Sequence, residues 1–400
     1  MARVVSTELV DMGRLVDLTS ELVAVATANP PGNERATSEV LRAALAPWAA
    51  SWQEVEPSPG RLSLLARVPA QQPAPPGGHV PVLIVNAHTD VVPVVPDRWS
   101  RAPFEPTVVG DRLYGRGTAD MKGGLAAAVR ALATLEATGL ARPCDIVFQF
   151  VADEERGGGL GTRALMDAGL LEADAALVPE PTGLAVCVAE RGLLQGRLEV
   201  RGRPGHGSRP REGVSAVEHA ARLVLAIHAA DFGDREHPLL GRPTANVGTV
   251  HGGSAVNVVA EQASVGFDRR ILPGVTREDA VAGLRAKLDA ADLADVDFEM
   301  VVDDFGEGSE MSPDHPFAHL VRSSLGLVLG YEPPTIGMSF TTDARFIRNQ
   351  GGTPAVVCGP GDIAQAHSID EWVSIPQLVQ ATAAFATLYA SFGPGWATNA

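Results

Sequence analysis

Apolar and polar positions fall into blocks along the chain, and the blocks predict an alternation of strands and helices. Leu83-Ile84-Val85-Asn86-Ala87 is an apolar run of the length that fills a buried strand. Similar runs occupy 61–68, 146–151, 175–178 and 354–358. Leu15, Leu18, Leu22 and Val25 recur at helical spacing and predict a helix over 7–26. Asn29-Pro30-Pro31-Gly32 breaks it, and a second helix is predicted over 34–48. An alanine-rich stretch predicts another over 125–136, and the Pro-, Gly- and Gln-rich segment 69–81 reads as an exposed loop.

Between about 191 and 303 the pattern changes. Residues 194–201 alternate like a strand with one wet face, and a helix is predicted over 214–229. Strands near 244–250 and 261–269, a helix over 277–290 and a short strand near 297–302 complete a small α+β layer. The chain therefore predicts an α/β protein: residues 1–190 and 304–400 form a mainly parallel-sheet domain, and 191–303 an inserted smaller α+β domain.

The polar residues that close the apolar runs change the picture from fold to chemistry. The first run ends in His88-Thr89-Asp90, where a carboxylate two residues on can accept the second ring N–H of the histidine. Alone, such a pair is more often a satisfied polar turn. The run at 146–151 leads to Asp153-Glu154-Glu155, three acids that repel one another unless exposed or neutralised by a cation. The run at 175–178 leads to Glu180, and the run at 354–358 leads to His367. Four strands delivering metal-competent side chains past their C-terminal ends place them where an open parallel sheet puts its site. Histidine nitrogen and carboxylate oxygen suit zinc, with cobalt or manganese as alternatives. The glycines around Asp120-Met121-Lys122-Gly123-Gly124 do not make a phosphate loop, because Met121 precedes the lysine and no Ser or Thr follows it.

Composition narrows the partners. The 400 residues carry a formal net charge of −16, which disfavours nucleic acid and anionic membranes. Cys144, Cys187 and Cys358 are odd in number and scattered in apolar runs, the pattern of reduced, buried thiols. No leader or membrane-spanning segment is evident, so a cytoplasmic protein is expected.

Taken together, His88-Thr89-Asp90, Gly115-Arg116-Gly117 with Asp120-Met121-Lys122-Gly123-Gly124, Asp153-Glu154-Glu155, Glu180-Pro181-Thr182, Gly205-His206-Gly207-Ser208 and His367 before Asp370-Glu371 resemble the motifs of the co-catalytic zinc aminoacylase and exopeptidase family. The resemblance covers nearly the whole chain. It implies a zinc-exopeptidase-like catalytic domain with an inserted lid or dimerisation domain. It also implies two divalent metal ions, with Asp120 bridging them. His88 and Glu180 then complete one shell, and Glu155 and His367 the other. Asp90 becomes the partner of His88, and the peptide bond after Asp120 is expected to be cis. Glu154 becomes the general base that activates a water shared by the ions, and His206 a donor to the developing oxyanion, often across a homodimer. Asn257 and Arg270 correspond to positions that hold the substrate carboxylate; Arg270 is preferred to Arg269 because Asp268 sets an Asp-x-Arg count. The activity implied is removal of the acyl group from an N-acyl amino acid, acetylornithine first. Exopeptidase, dipeptidase or succinyl-diaminopimelate desuccinylase activity is the alternative, and a non-catalytic binding relative the remote one.

Overall fold

The computed structural model describes residues 4–49, 51–73, 76–233 and 236–398; residues 74 and 75 of the loop read at 69–81 lie outside them. The chain divides into two compact units. One comprises Met1–Val188, Met311–Ile336 and Thr342–Ala400, the other Ala189–Glu310 and Gly337–Thr341.

The first unit is built on a sheet with strands β1 (Ser51–Val55), β2 (Ser63–Val68), β3 (Val82–His88), β4 (Asp145–Val151), β5 (Ala175–Val178) and β6 (Val186–Glu190), joined late in the chain by a strand Ala355–Val357. The order across the sheet is β1-β2-β4-β3-β5, then Ala355–Val357, then β6. The four strands from β4 to Ala355–Val357 are mutually parallel, and antiparallel strands flank them on both sides. Each central strand is apolar on both faces, as a sheet covered by helices requires. Parallel strands bring their C-terminal ends to one edge, so His88, the turn after Val151, Glu180 and the segment after Val357 emerge together.

Helices α1 (Met12–Ala24), α2 (Ser38–Leu45) and α3 (Gly123–Ala137) precede β4. Helix α1 is shorter than the periodicity predicts, because the Asp11 side chain accepts from Arg14 N and restarts the helix after a short 3-10 turn. The small residues Ala126, Ala127, Ala128 and Ala131 are buried on α3 and let the long C-terminal helix Ile375–Ser391 approach closely. There the Tyr389 hydroxyl donates to the Ala128 carbonyl at 3.0 Å. Cys144, Cys187 and Cys358 are buried and form no disulfide among the described residues. Among the described residues no helix is long and apolar enough to cross a membrane.

The second unit has strands β7 (Gly192–Arg201), β8 (Thr244–Gly252), β9 (Gln262–Ile271) and β10 (Asp297–Gly306), antiparallel in the order β8-β9-β7-β10. Leu194, Leu198, Val265, Phe267 and Ile271 face helices Ala216–Ala229 and Arg277–Asp289, where Leu223, Ile227, Leu284 and Leu288 complete one core. The alternate residues, among them Gln195, Arg197, Asp268 and Arg270, lie on the other face.

Candidate metal centre

The site in the first unit grows from the ends of its parallel strands. His88 closes β3 and is 1% exposed; its Nδ1 lies 2.9 Å from the main-chain oxygen of Asp90. A carbonyl only accepts, so Nδ1 carries the proton and Nε2 faces the site. The sequence pairs this ring with the Asp90 carboxylate, which instead stands at 3.5 Å. The strand ends at His88, so the alternation of side chains does not extend to Asp90. The Asp90 carboxylate accepts the backbone N–H groups of Glu154 and Glu155 at 3.2 and 3.3 Å and the Asn29 amide at 2.8 Å.

Asp120 lies on an irregular turn, Thr118–Lys122, whose Asp120–Met121 peptide bond is cis. Its two oxygens face opposite ways. Oδ1 is 3.0 Å from His88 Nε2, and Oδ2 is 3.4 Å from His367 Nε2. Glu180 Oε1 stands 3.5 Å from His88 Nε2, and Glu155 Oε2 stands 3.0 Å from His367 Nε2. The structure thus gathers His88, Glu180 and Asp120 Oδ1 on one side, and His367, Glu155 and Asp120 Oδ2 on the other. Oxygen and nitrogen donors of His88, Glu154 and Glu180 lie within 4.8 Å of one another, as do those of His88, Asp120 and Glu155. Glu154 therefore reaches into the first side. His367 sits at the mouth with 56% of its side chain exposed and a left-handed backbone (φ 61).

The electrostatics ask for cations. Burial pushes Glu154 and Glu180 well above the ordinary carboxylate range, and neighbouring acids push further: Asp343 and Glu155 on Glu154, Asp120 on Glu180. Burial also works to raise Asp120, but hydrogen bonds from His367 and His88 outweigh it and hold it low. Hydrogen bonds to Asp120 and then Glu155 lift His367 to about 10. Four carboxylates against two imidazoles, with one carboxylate offering an oxygen to each side, fit a pair of divalent ions.

A pH dependence follows. His367 binds its proton more tightly in the folded chain than its ordinary value of 6.5. Its contribution to stability is complete below that value and is lost as pH rises toward about 10. Glu154 and Glu180 are raised too and act with the same sign. Chelator-treated protein is expected to lose melting temperature as pH rises from 6.5 to about 10, and added zinc to reverse the loss. Thermal unfolding across pH, with and without zinc, checks this; a flat profile for the chelated protein refutes it.

Several residues that the sequence motifs include without a role support this site. Glu371 is fully buried. Its Oε1 accepts the backbone N–H groups of Ala119 and Asp120 at 2.8 and 3.1 Å, and its Oε2 accepts Gly117 N at 3.0 Å and Arg116 Nη1 at 2.6 Å. One side chain thus fixes the backbone around Asp120. Gly117 takes φ 91, where a side chain is strained. Lys122, also buried, donates to Leu22 O, Val25 O and Thr27 Oγ1 at 2.9, 2.9 and 3.0 Å, tying the turn to the end of α1. A Cβ on Gly124 would meet Pro179 O at 1.9 Å, so this glycine lets α3 lie against the strand that delivers Glu180. Glu371→Gln should cost about 3–5 kcal/mol, the loss on removing one member of a buried ion pair. Urea unfolding measures it, and a cost under about 1 kcal/mol, typical of an exposed pair, refutes the clamp.

The other three residues implied by the resemblance lie in the second unit. His206 is exposed, and its Nδ1 accepts from Ser208 N at 3.2 Å, which leaves Nε2 as the donor. Asn257 is exposed beside it, with its carbonyl accepting from Gly207 N at 2.8 Å. Arg270 is half-buried and pairs with Asp268 at 2.8 Å, whereas Arg269 turns into the helical face and donates to Ala280 O. Arg270 lies at the far end of β9, opposite Leu193, while Gln262 opposite Arg201 marks the near end. At the rise of a strand that is about 27 Å. The unit brings His206 and Asn257 together and holds Arg270 apart.

Residues 84–391 match the profile of Peptidase family M20/M25/M40, and this chain belongs to that family. It is a metal-dependent hydrolase of that class. The acetylornithine deacetylase of Pectobacterium atrosepticum is 33% identical over 331 residues, 80% of this chain and 81% of that one. Among solved structures, a tripeptidase from Staphylococcus aureus superposes with TM-score 0.78 at 23% identity, covering 95% of this chain and 98% of that one. A metallo-carboxypeptidase from Sulfolobus solfataricus superposes with TM-score 0.76 at 20% identity, covering 94% and 99%.

Proposed function

We propose that the protein removes the acyl group from an N-acyl amino acid, with acetylornithine the first substrate to try. The observation that carries the chemistry is Asp120, whose two oxygens face two histidines on opposite sides, each flanked by a glutamate. The acetylornithine deacetylase at 33% identity supports the substrate class.

His88, Glu180 and Asp120 would hold one divalent ion, and Glu155, His367 and Asp120 the other, with zinc best suited to the donors and cobalt or manganese next. When bound, such a pair supplies Lewis acidity toward the amide carbonyl and the attacking water. Glu154 accepts the proton of the water at its carboxylate and returns it to the leaving nitrogen, one group serving as base and then acid. Its raised pKa brings it toward the pH at which it works. His206 Nε2–H donates to the developing oxyanion, and the Arg270 guanidinium and Asn257 amide hold the substrate carboxylate. Asn257 and Arg270 of one unit are too far apart to grip one small carboxylate. That separation supports a homodimer in which the inserted unit, 191–303, lends His206 and Asn257 to a partner's site.

The test is release of free amine from N-acetylornithine by zinc- or cobalt-loaded protein, with and without chelator. Turnover that chelator abolishes is the expected result. Chelator-sensitive cleavage of dipeptides instead, releasing two amino acids, moves the protein to the exopeptidase reading that the tripeptidase and carboxypeptidase folds keep in view. Metal-loaded protein that hydrolyses neither refutes the proposal.

A further inference from the structure

Asp153 stands between the end of β4 and the turn that carries Glu154 and Glu155. Its backbone is left-handed (φ 68), a conformation uncommon for residues other than glycine, though aspartate adopts it more readily than most. All its polar atoms are held. The N–H donates to Glu34 Oε1 at 3.3 Å, and the carbonyl accepts from Arg156 N and Gly158 N at 3.2 and 2.7 Å. Oδ1 accepts from Arg61 Nη2 at 2.9 Å and Asn29 Nδ2 at 3.1 Å, and Oδ2 accepts from Leu160 N at 3.0 Å.

Behind it, Glu34 is 1% exposed and takes the fork of Arg61, Nε at 2.8 Å and Nη2 at 2.6 Å. The same Asn29 nitrogen also donates to Asp90, which accepts the backbone N–H groups of Glu154 and Glu155. One hydrogen-bonded chain therefore runs Glu34–Arg61–Asp153–Asn29–Asp90 and closes on both ends of the turn. A buried ion pair adds little net stability over an apolar replacement. What an apolar core could not do here is hold a left-handed residue and two successive backbone N–H groups in fixed directions.

We propose that Glu34, Arg61 and Asn29 are positioning residues that set the divergence of Glu154 and Glu155, so that one faces the reacting water and the other the ion shared with His367. The inference rests on the roles given to those two glutamates above. Neither Arg61 nor Asn29 touches a donor of the centre; each acts through Asp153 or Asp90.

Arg61→Lys keeps the charge but loses the fork, and Asn29→Ser shortens the bridge between the two aspartates; Arg61→Met is the harsher variant. The readouts are kcat and KM, the visible spectrum and affinity of the cobalt-loaded protein, and thermal unfolding. For Arg61→Lys and Asn29→Ser the expected result is a folded protein with kcat lowered about 10- to 100-fold, the usual range for groups that orient ligands. KM should stay within roughly threefold, as loss of a transition-state interaction alone implies. The cobalt spectrum should shift, and Arg61→Lys should retain more activity than Arg61→Met. Wild-type kcat and spectrum in both mild variants overturn the proposal, as does a loss of activity that only tracks the unfolded fraction. If wild-type protein hydrolyses no amide, the functional reading fails separately. The cobalt spectrum and affinity then decide the positioning claim alone, and both unchanged overturns it.

Discussion

Glu154→Gln is expected to lower kcat by about 10²- to 10⁴-fold, the range supplied by a positioned general base, while leaving bound metal unchanged. The amide keeps the size of the side chain and cannot take a proton from water. The substitution also replaces an acid that burial first, and neighbouring carboxylates after it, push upward, so folding stability should hold or improve. The measurement pairs steady-state kinetics with elemental analysis of the dialysed protein. Loss of metal along with activity would recast Glu154 as a ligand, a role its closeness to His88 and Glu180 makes worth checking. Full activity would remove it from the chemistry.

Asp120→Asn should have the second large effect, on metal and not only on rate. Asp120 offers one oxygen to each histidine ring. An amide leaves one weaker acceptor oxygen and turns an NH2 group toward the other ring. Changes in groups that merely orient ligands cost about 10- to 100-fold in affinity, so loss of the shared ligand should cost about a hundredfold or more. Isothermal titration with zinc gives the affinity. A second readout is available without metal: His367, lifted to about 10 chiefly by its hydrogen bond to Asp120, should fall toward its ordinary 6.5 in an NMR titration. Wild-type zinc affinity together with an unmoved His367 would remove the bridging role.

The part of the site that could be read in the sequence is the part the backbone places by local rules. Leu83–Ala87, Ile146–Val151 and Ala175–Val178 are strand-like runs, and a parallel sheet must bring their C-terminal ends to one edge. His88, Glu155 and Glu180 were legible for that reason. The supports were not. Glu34 opens a predicted helix and Arg61 a predicted strand, and their meaning depends on Asp153, 119 and 92 positions away. Glu371 stands four residues after His367, near enough to draw notice. Its four donors, however, sit on a turn more than 250 positions earlier, and no periodicity encodes such a meeting. The edge strand Ser51–Val55 escaped because it is mostly exposed and lacks an apolar face. Helix α1 came out too long because the cap at Asp11 interrupts a pattern that continues through it.

The clamp of Glu371 on the Asp120 turn sets an order of events during synthesis. His88, Asp120, Glu154, Glu155 and Glu180 leave the ribosome first, followed by the whole of Ala189–Glu310, before His367 and Glu371 appear. Until then the backbone N–H groups of Ala119 and Asp120 lack their carboxylate, and one side of the centre lacks its histidine. In a nascent chain that has reached only the inserted unit, three of the four central parallel strands are already made, and the last of them, Ala355–Val357, is still to come.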